Sequence, residues 1–427
     1  MSILGRALGG KVLCYNGHMR LSKTFIKTLR EAPKDETAKN GALLTRAGYI
    51  HKEMAGVYDF LPLGLRVIEN IKRIIREELN KLGCEEIQMA TLQNPEPWEK
   101  TGRFSDQAVD IWFKTELASG GQVGLAPTHE EPVTNMLKSY ISSYKDLPLY
   151  VYQFQTKFRN ELRAKSGILR GREFLMKDLY SFHTSEEDLD AFYEKVEQAY
   201  AKIFERLGLG EDTFETFASG GIFAKYSHEY QTLLPVGEDT VYYNGDKSVV
   251  LNKEVLTPEV LADLKVTREE LTETTAAEVA NIFKLKFKYS EPLELKFADE
   301  NNSQQTVYMG CYGIGVSRVM GVIAEKFADD KGLCWPESVA PFKYYLVGIG
   351  EAGMNEAEKL YAGHEDQILF DDRDVRPGEK FADAELMGTP YRVVISDKTL
   401  ATGAAEITNR QTGESRSINL DELSKEI

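Results

Sequence analysis

At the segment WPESVAPF, around Pro336 and Pro341, the hydrophobic pattern of this chain changes character. Prolines so close together interrupt regular structure, because each fixes its own φ and lacks a backbone donor. Beyond them, KYYLVGIG and YRVVISD are continuous apolar runs, with a helix-like stretch over 356–362 after the first. Such runs mark strands buried on both faces, so residues 341–427 read as a small α/β domain. Before the break the signals differ. Residues 63–82 carry Leu65, Ile68, Ile71, Ile75, Leu79 and Leu82 at three- and four-residue steps, which predicts an amphipathic helix. Residues 187–207 repeat that pattern, with Thr184 and Glu187 at capping-box spacing. Strand-like runs, LYVYQFQTKFR, TVYYN and QTVYMGCYGIG, lie between and after these helices. The mixture predicts an α+β unit, a largely antiparallel sheet with helices on one side.

Domain boundaries follow from the same pattern. Periodic sequence begins at Met19, so residues 19–235 form the first part of the main domain and 280–337 the second. Between them, 236–279 reads as a reduced insertion. Its Thr- and Glu-rich part from Pro258 fits either a small surface insertion or a solvated linker. Residues 1–18 are Gly-rich and free of acids, an N-terminal extension that fits a targeting leader or a stretch upstream of a start at Met19.

Composition narrows the classes. No run of about 18 apolar residues exists, which argues against a membrane span. Cys14, Cys84, Cys311 and Cys334 are scattered without a CxxC pair, against a disulfide framework or a Cys-rich zinc site and in favour of the cytoplasm. No HxxxH or Cys/His group marks a metal site. The formal net charge is −15, so an RNA partner needs a local basic patch.

Against that charge, residues 153–183 gather seven Lys or Arg and only three Asp or Glu. In TKFRNE, Arg159 and Glu161 are two apart, which on a strand aims both into one pocket. LRGREF adds Arg170, Arg172 and Phe174. Guanidinium forks grip phosphates, a Phe face stacks on a base, and a carboxylate accepts from an exocyclic amine. A nucleotide site fits these residues, and so does a salt-bridged hairpin. In APTHEE, Thr128 and Glu130 read as holders of an ammonium group, or Thr128 with Glu131 as a helix cap. MGCYGIGVSR, with Gly310, Gly313, Gly315 and Arg318, does not fit GxGxxG; its glycines permit close ligand approach or a tight strand-to-helix turn. KYSHEY sets Ser227, His228 and Glu229 together without the surroundings of a hydrolase triad.

In this order the segments resemble a class II aminoacyl-tRNA synthetase. GVYDFLPLGLRVIENIKRIIREEL is similar to the first class signature, TKFRNE with LRGREFLMKD to the second, and GIGVSRVMG to the third. APTHEE, QTKFRNE, REFLMKDLYSFH, SHEY and MGCYGIGVSR together resemble prolyl-tRNA synthetases of the bacterial type, in a short form lacking the inserted editing domain. LFDDRDVRPGEKFADAELMGTPYRVVISDK is similar to their anticodon-binding domain. The resemblance implies activation of L-proline with ATP and Mg²⁺, transfer to tRNA(Pro), and a homodimer. It implies Arg159 and Arg318 as catalytic residues. It implies Thr128, Glu130, Arg159, His183, Ser227, His228 and Cys311 around proline. Around ATP it implies Arg159, Glu161, Arg170, Phe174 and Arg318. A threonyl enzyme is the nearest rival, but its Cys/His zinc set is not evident; a non-charging relative on the same fold is another. Residues 341–427 hold ten Lys or Arg against seventeen Asp or Glu, so anticodon binding needs a concentrated basic face. Arg373, Arg376, Lys380 and Arg392 are its candidates, unless they pair with Asp371, Asp372 and Asp374.

Overall fold

The computed structural model describes residues 19–162, 164, 166–219 and 226–427; among these, the side chains of 219, 226 and 227 are not described. The expected extension over 1–18 lies outside the described residues.

The long helix α1 (Pro62–Lys81) starts with proline in its first turn and buries Leu63, Val67, Ile68, Ile71, Ile74, Ile75 and Leu79. Proline suits this position because its missing N–H is unpaired there anyway. Next come β1 (Glu85–Glu86), α2 (Glu130–Leu137), β2 (Leu149–Phe158), β3 (Glu173–His183) and α3 (Glu186–Arg206). Helix α3 buries the expected stripe of Leu189, Phe192, Val196, Ala199 and Ile203, with Leu207 buried just beyond its end. Its cap is Ser185, which accepts from the Asp188 N–H at 3.2 Å, one residue after the expected Thr184.

The chain continues through β4 (Thr213–Ser219), β5 (Tyr226–Leu233), β6 (Asp239–Tyr243), β7 (Val250–Asn252), β8 (Thr272–Lys286), β9 (Tyr308–Gly315) and α4 (Val316–Phe327). These strands and β1–β3 form one nine-stranded sheet in the order β5-β4-β7-β6-β8-β9-β3-β2-β1, with β5 also paired to β8. All its pairings are antiparallel except β4–β7 and β1–β2. The segment expected as a reduced insertion is not set apart. Strand β8 runs unbroken through position 279, and β6 and β7 add rungs to the main sheet. The apolar residues of β8 from Ala276 to Leu285 are buried on the sheet, which ties the segment to the core.

One face of the sheet carries α1, α3 and α4 around a large core. The other carries a smaller core of Val133, Leu137, Tyr180, Phe182, Phe283, Met309 and Cys311 beneath α2.

The C-terminal domain holds β10 (Tyr344–Ile349), α5 (Gly350–Tyr361), β11 (Ile368–Asp371), α6 (Pro377–Met387), β12 (Tyr391–Ser396), β13 (Ala404–Asn409) and β14 (Ser415–Asn419). Its six-stranded sheet is parallel across β11, β10 and β12, and antiparallel through β13 and β14. The sixth strand is Met19–Arg20, parallel to β11. Residues expected to open the catalytic domain therefore complete the other sheet. Ser22 donates to Asp372 and Thr28 to Asp383, which fastens them there. The large core is continuous across both domains, and the Tyr49 hydroxyl and Trp335 indole both donate to the Met387 carbonyl.

Candidate active site

Alternation along β3 and β9 decides which side chains meet. Tyr180 pairs with Cys311, and both face α2 together with Phe182 and Met309. Glu130 opens α2 and is almost fully buried. The Cys311 thiol donates to Glu130 Oε1 at 3.1 Å, and the Thr128 hydroxyl donates to Oε2. Thr128 is thus not the helix cap; His129 holds that position without a side-chain cap. Burial, then the neighbouring Glu130, pushes the Cys311 thiol well above its ordinary range, so it stays a protonated donor.

A second layer lies behind this group. His129 Nε2 donates to the Ala90 carbonyl at 3.1 Å, and Nδ1 accepts from Lys157 at 2.5 Å. Burial, then Lys157, pushes the imidazole down to about 4, which fixes it as neutral. Lys157 also donates to Asp178, which accepts from Gln153 as well.

Next to it lie two adjoining cavities, both lined by Arg159, Glu161, Leu169, Arg170, Glu278 and Arg318. Strand β2 ends at Phe158, so Arg159 and Glu161 leave it on the following loop yet still face one space. Arg159 Nε donates to the Pro127 carbonyl at 3.4 Å, and its guanidinium lies 5.2 Å over the Phe174 ring. Arg318, in the first turn of α4, donates to the Leu169 and Glu278 carbonyls at 2.7 and 2.6 Å. Burial, then the Arg318 charge, lowers the Arg159 pKa. Two guanidinium groups that repel across a cavity are poised for an anion. Glu161 Oε2 accepts from Arg170 Nε and Nη2 at 3.1 and 2.9 Å. Arg172 is spent on the Glu161 and Ala55 carbonyls. Gly313 sits within β9 with no positive φ; a Cβ there would lie 2.4 Å from Met176 Cε, so it serves close packing across the sheet.

Two expected pocket residues are elsewhere. His183 is an odd number of residues from Tyr180 and so faces the opposite side of the sheet. Its Nδ1 lies 2.8 Å from Asp188 Oδ2, and its ring packs with Tyr150 and Phe192. His228 pairs with Ile282 and Phe217, and its ring lies against Tyr193 of α3. Neither reaches the Glu130 group. The Ser227 side chain lies outside the described residues.

In the C-terminal domain, Arg373 pairs with Asp371 and Asp383 at 2.7 Å, and buried Lys380 donates to the Asp371 carbonyl. Both are turned to their own domain: Arg373 pairs with Asp371, one of the three acids considered for it, whereas Lys380 meets a backbone carbonyl. Arg376 is exposed before α6. Arg392 lies over the Phe381 ring and lines a cavity of about 160 Å³ with Glu385, Thr389 and Arg410.

Sequence reasoning missed Tyr180, the buried Lys157–Asp178–His129 network, and Glu278. Among the described residues the buried Tyr180 hydroxyl has no partner of hydrogen-bond geometry, although the Thr128 side chain lies close enough to act on it. The available signal was two-residue periodicity, since Asp178, Tyr180 and Phe182 alternate with Leu179, Ser181 and His183.

Comparison with known proteins fits this architecture. Residues 112–327 match the tRNA synthetase class II core domain (G, H, P, S and T), and residues 343–427 match an anticodon binding domain. The proline--tRNA ligase of Anaplasma marginale is 37% identical over 421 residues, covering 95% of this chain and 99% of that protein. That of Agrobacterium fabrum is 37% identical over 436 residues, covering 94% and 98%. That of Geobacillus sp. is 34% identical over 564 aligned positions, covering 95% and 98%. The alignment exceeds the 427 residues here, so the Geobacillus protein carries sequence this chain lacks. Among solved structures, Giardia lamblia prolyl-tRNA synthetase in complex with prolyl-adenylate shares the fold, with TM-score 0.74 and 21% identity, covering 90% of this chain and 74% of that one. With this core, this second domain and relatives matched nearly end to end, the chain belongs to the proline--tRNA ligase family.

Proposed function

We propose that the two cavities and the Glu130 group form one site that activates L-proline with ATP and passes it to the 3′ end of tRNA(Pro). The observation that carries this reading is the meeting of Arg159 and Arg318, from distant parts of the chain, in one cavity beside a buried carboxyl group. The proline ammonium is held by Glu130, with Thr128 and Cys311 fixing that carboxyl group. Arg159 spans the proline carboxylate and the α-phosphate. One carboxylate oxygen attacks the α-phosphorus, the bond to the bridging oxygen breaks, and pyrophosphate leaves with its electron pair. No protein base is needed, because the nucleophile is already an anion. Alignment of two anions and fixed positive charge supply the barrier reduction. Arg318 holds the γ-phosphate. Phe174 stacks on adenine, Glu161 Oε1 accepts from its exocyclic amine, and Arg170 keeps that carboxylate in place. A ribose hydroxyl of tRNA then attacks the adenylate carbonyl and releases AMP.

Mg²⁺ fits the wall of the same site. Glu278 lines both cavities, and burial and the Glu278 charge push the Glu229 carboxyl up to about 8. Carboxyl groups crowded in this way suit a divalent cation, with Glu278 and Asp239 the residues that would hold it. When bound it neutralises phosphate charge. Homodimerisation through the segment that includes α1, a cytoplasmic location and anticodon contact at Arg376 and Arg392 complete the proposal. The last is supported by the cavity at Arg392.

Proline-dependent exchange of pyrophosphate into ATP tests the reading. Proline, not threonine, supports exchange. Arg159→Ala and Arg318→Ala each lower kcat by about 10²–10³-fold. Exchange that survives both substitutions, or ATP binding without any proline-dependent exchange, refutes it.

No cis editing is proposed either. Residues 236–271 supply β6, β7 and short helices around a small cluster of Tyr242, Leu251, Val255 and Leu271, too little for a separate hydrolytic domain. A pocket rejects a smaller side chain by only about 1–3 kcal/mol, so alanine is also charged. Preformed Ala-tRNA(Pro) should lose its amino acid at the spontaneous rate when the enzyme is added.

A further inference from the structure

The face of the β4–β5 hairpin turned towards α3 carries a group that the reaction does not use. His228 of β5, Glu215 of β4 and Glu197 of α3 bring one ligand atom each within 4.8 Å of one another. His228 Nδ1 stands 3.4 Å from a Glu215 oxygen and 3.5 Å from a Glu197 oxygen. Those separations are too long for charge-assisted hydrogen bonds, which close to about 2.7–2.9 Å. The same chain shows the short form, since His183 Nδ1 lies 2.8 Å from Asp188. Donor atoms about 2.0–2.2 Å from one tetrahedral cation stand about 3.3–3.6 Å apart, and that matches.

We propose that Glu197, Glu215 and His228 bind a divalent transition cation of the Zn²⁺ class. An imidazole nitrogen with two carboxylates suits such an ion better than Mg²⁺, which prefers an all-oxygen octahedron. The Tyr193 hydroxyl, 3.1 Å from Nδ1, has a second acceptor in the Ile282 carbonyl at 3.3 Å, so the Nδ1 lone pair is available. All three side chains are at least one-quarter exposed, so an ion can enter from solvent. The ligands come from a helix and two strands, so the ion fastens the hairpin to α3. Glu229, the next residue, points to the other side of the sheet, towards Glu278.

Chelator-treated full-length protein is titrated with Co²⁺, then with Zn²⁺ as competitor. The expected result is a saturable ligand-field absorption at one equivalent, displaced by Zn²⁺, and a higher melting temperature with Zn²⁺ present. Losing one ligand weakens binding by at least about tenfold, so His228→Gln, Glu215→Gln and Glu197→Gln each should do so. Asp59→Asn, in the exposed His51–Glu53–Asp59 group, leaves it unchanged. Metal-free melting of each variant shows whether it is folded, and Glu197→Gln, on the helix surface, carries the test if the hairpin variants are not. Absence of a one-equivalent signal, or a signal that persists in all folded ligand variants, overturns the proposal.

Discussion

Glu130 is a carboxyl group in a nearly dry place, and its partners decide what it can hold. Burying such a group is costly without compensation. Thr128 and Cys311 supply neutral donors, and among the described residues no cationic side chain pairs with it. On the proposed reading, the secondary ammonium of proline brings the missing charge. The Tyr180 hydroxyl belongs to the same argument: among the described residues it lies by the Thr128 side chain without a hydrogen bond of good geometry, and a buried hydroxyl so poorly partnered is destabilising until something meets it. Tyr180→Phe should therefore raise the KM for proline about tenfold while the melting temperature of the free enzyme holds or rises. An unchanged KM would place the hydroxyl outside the pocket. That Thr128, Glu130 and Cys311 come together was legible in the sequence, because whole motifs carry them. His183 was misplaced because a motif gives residue order, whereas strand parity gives the face.

Strand β3 shows the same parity from its other side. Lys177 faces the helical layer, fully buried, and donates to the Tyr200 hydroxyl and, at 2.8 Å, to the Tyr312 carbonyl. Burial pushes its pKa down to about 7, against about 10.4 in an unfolded chain. Between those values the unfolded chain binds a proton that the folded one does not, so this residue makes stability rise with pH. Below pH 7 both states are protonated and the full cost of the buried charge is present. Lys177→Met should accordingly be most stabilising near pH 7, and its advantage over the parent should shrink towards pH 10. Denaturant melts of the two proteins across that range provide the check; a constant difference would mean that Lys177 keeps its ordinary pKa when folded. The helices over it were read correctly because α1 and α3 repeat at 3.6 residues over many turns. TVYYN marked β6 in the sequence, but the insertion was misjudged because β7 and the outer half of β8 are short or polar, and only the register shows that all three join the main sheet.

Across the whole molecule the charge balance sets how RNA can bind. The C-terminal domain has ten Lys and Arg from residue 341 onward, yet most are already committed. Lys343, Lys359, Arg373, Arg392, Arg410 and Arg416 form ion pairs, with Glu337, Glu356, Asp371, Glu385, Asp329 and Glu426 respectively. Lys380 is buried on a carbonyl. Among the described residues, three cations of this domain show no ion pair: Arg376, Lys398 and Lys425. An RNA that used all three would release about three counterions, and each contributes about 0.7–0.9 to the slope of log affinity against log salt. The full-length enzyme should therefore bind an anticodon stem-loop with a slope no steeper than about −3. Arg376→Ala should flatten that slope by about one. A much steeper slope would mean that the ion pairs open on binding and that the basic face forms only with RNA present. A shallow slope leaves base contacts in the cavity at Arg392, between Glu385 and Thr389, to supply most of the affinity and the discrimination.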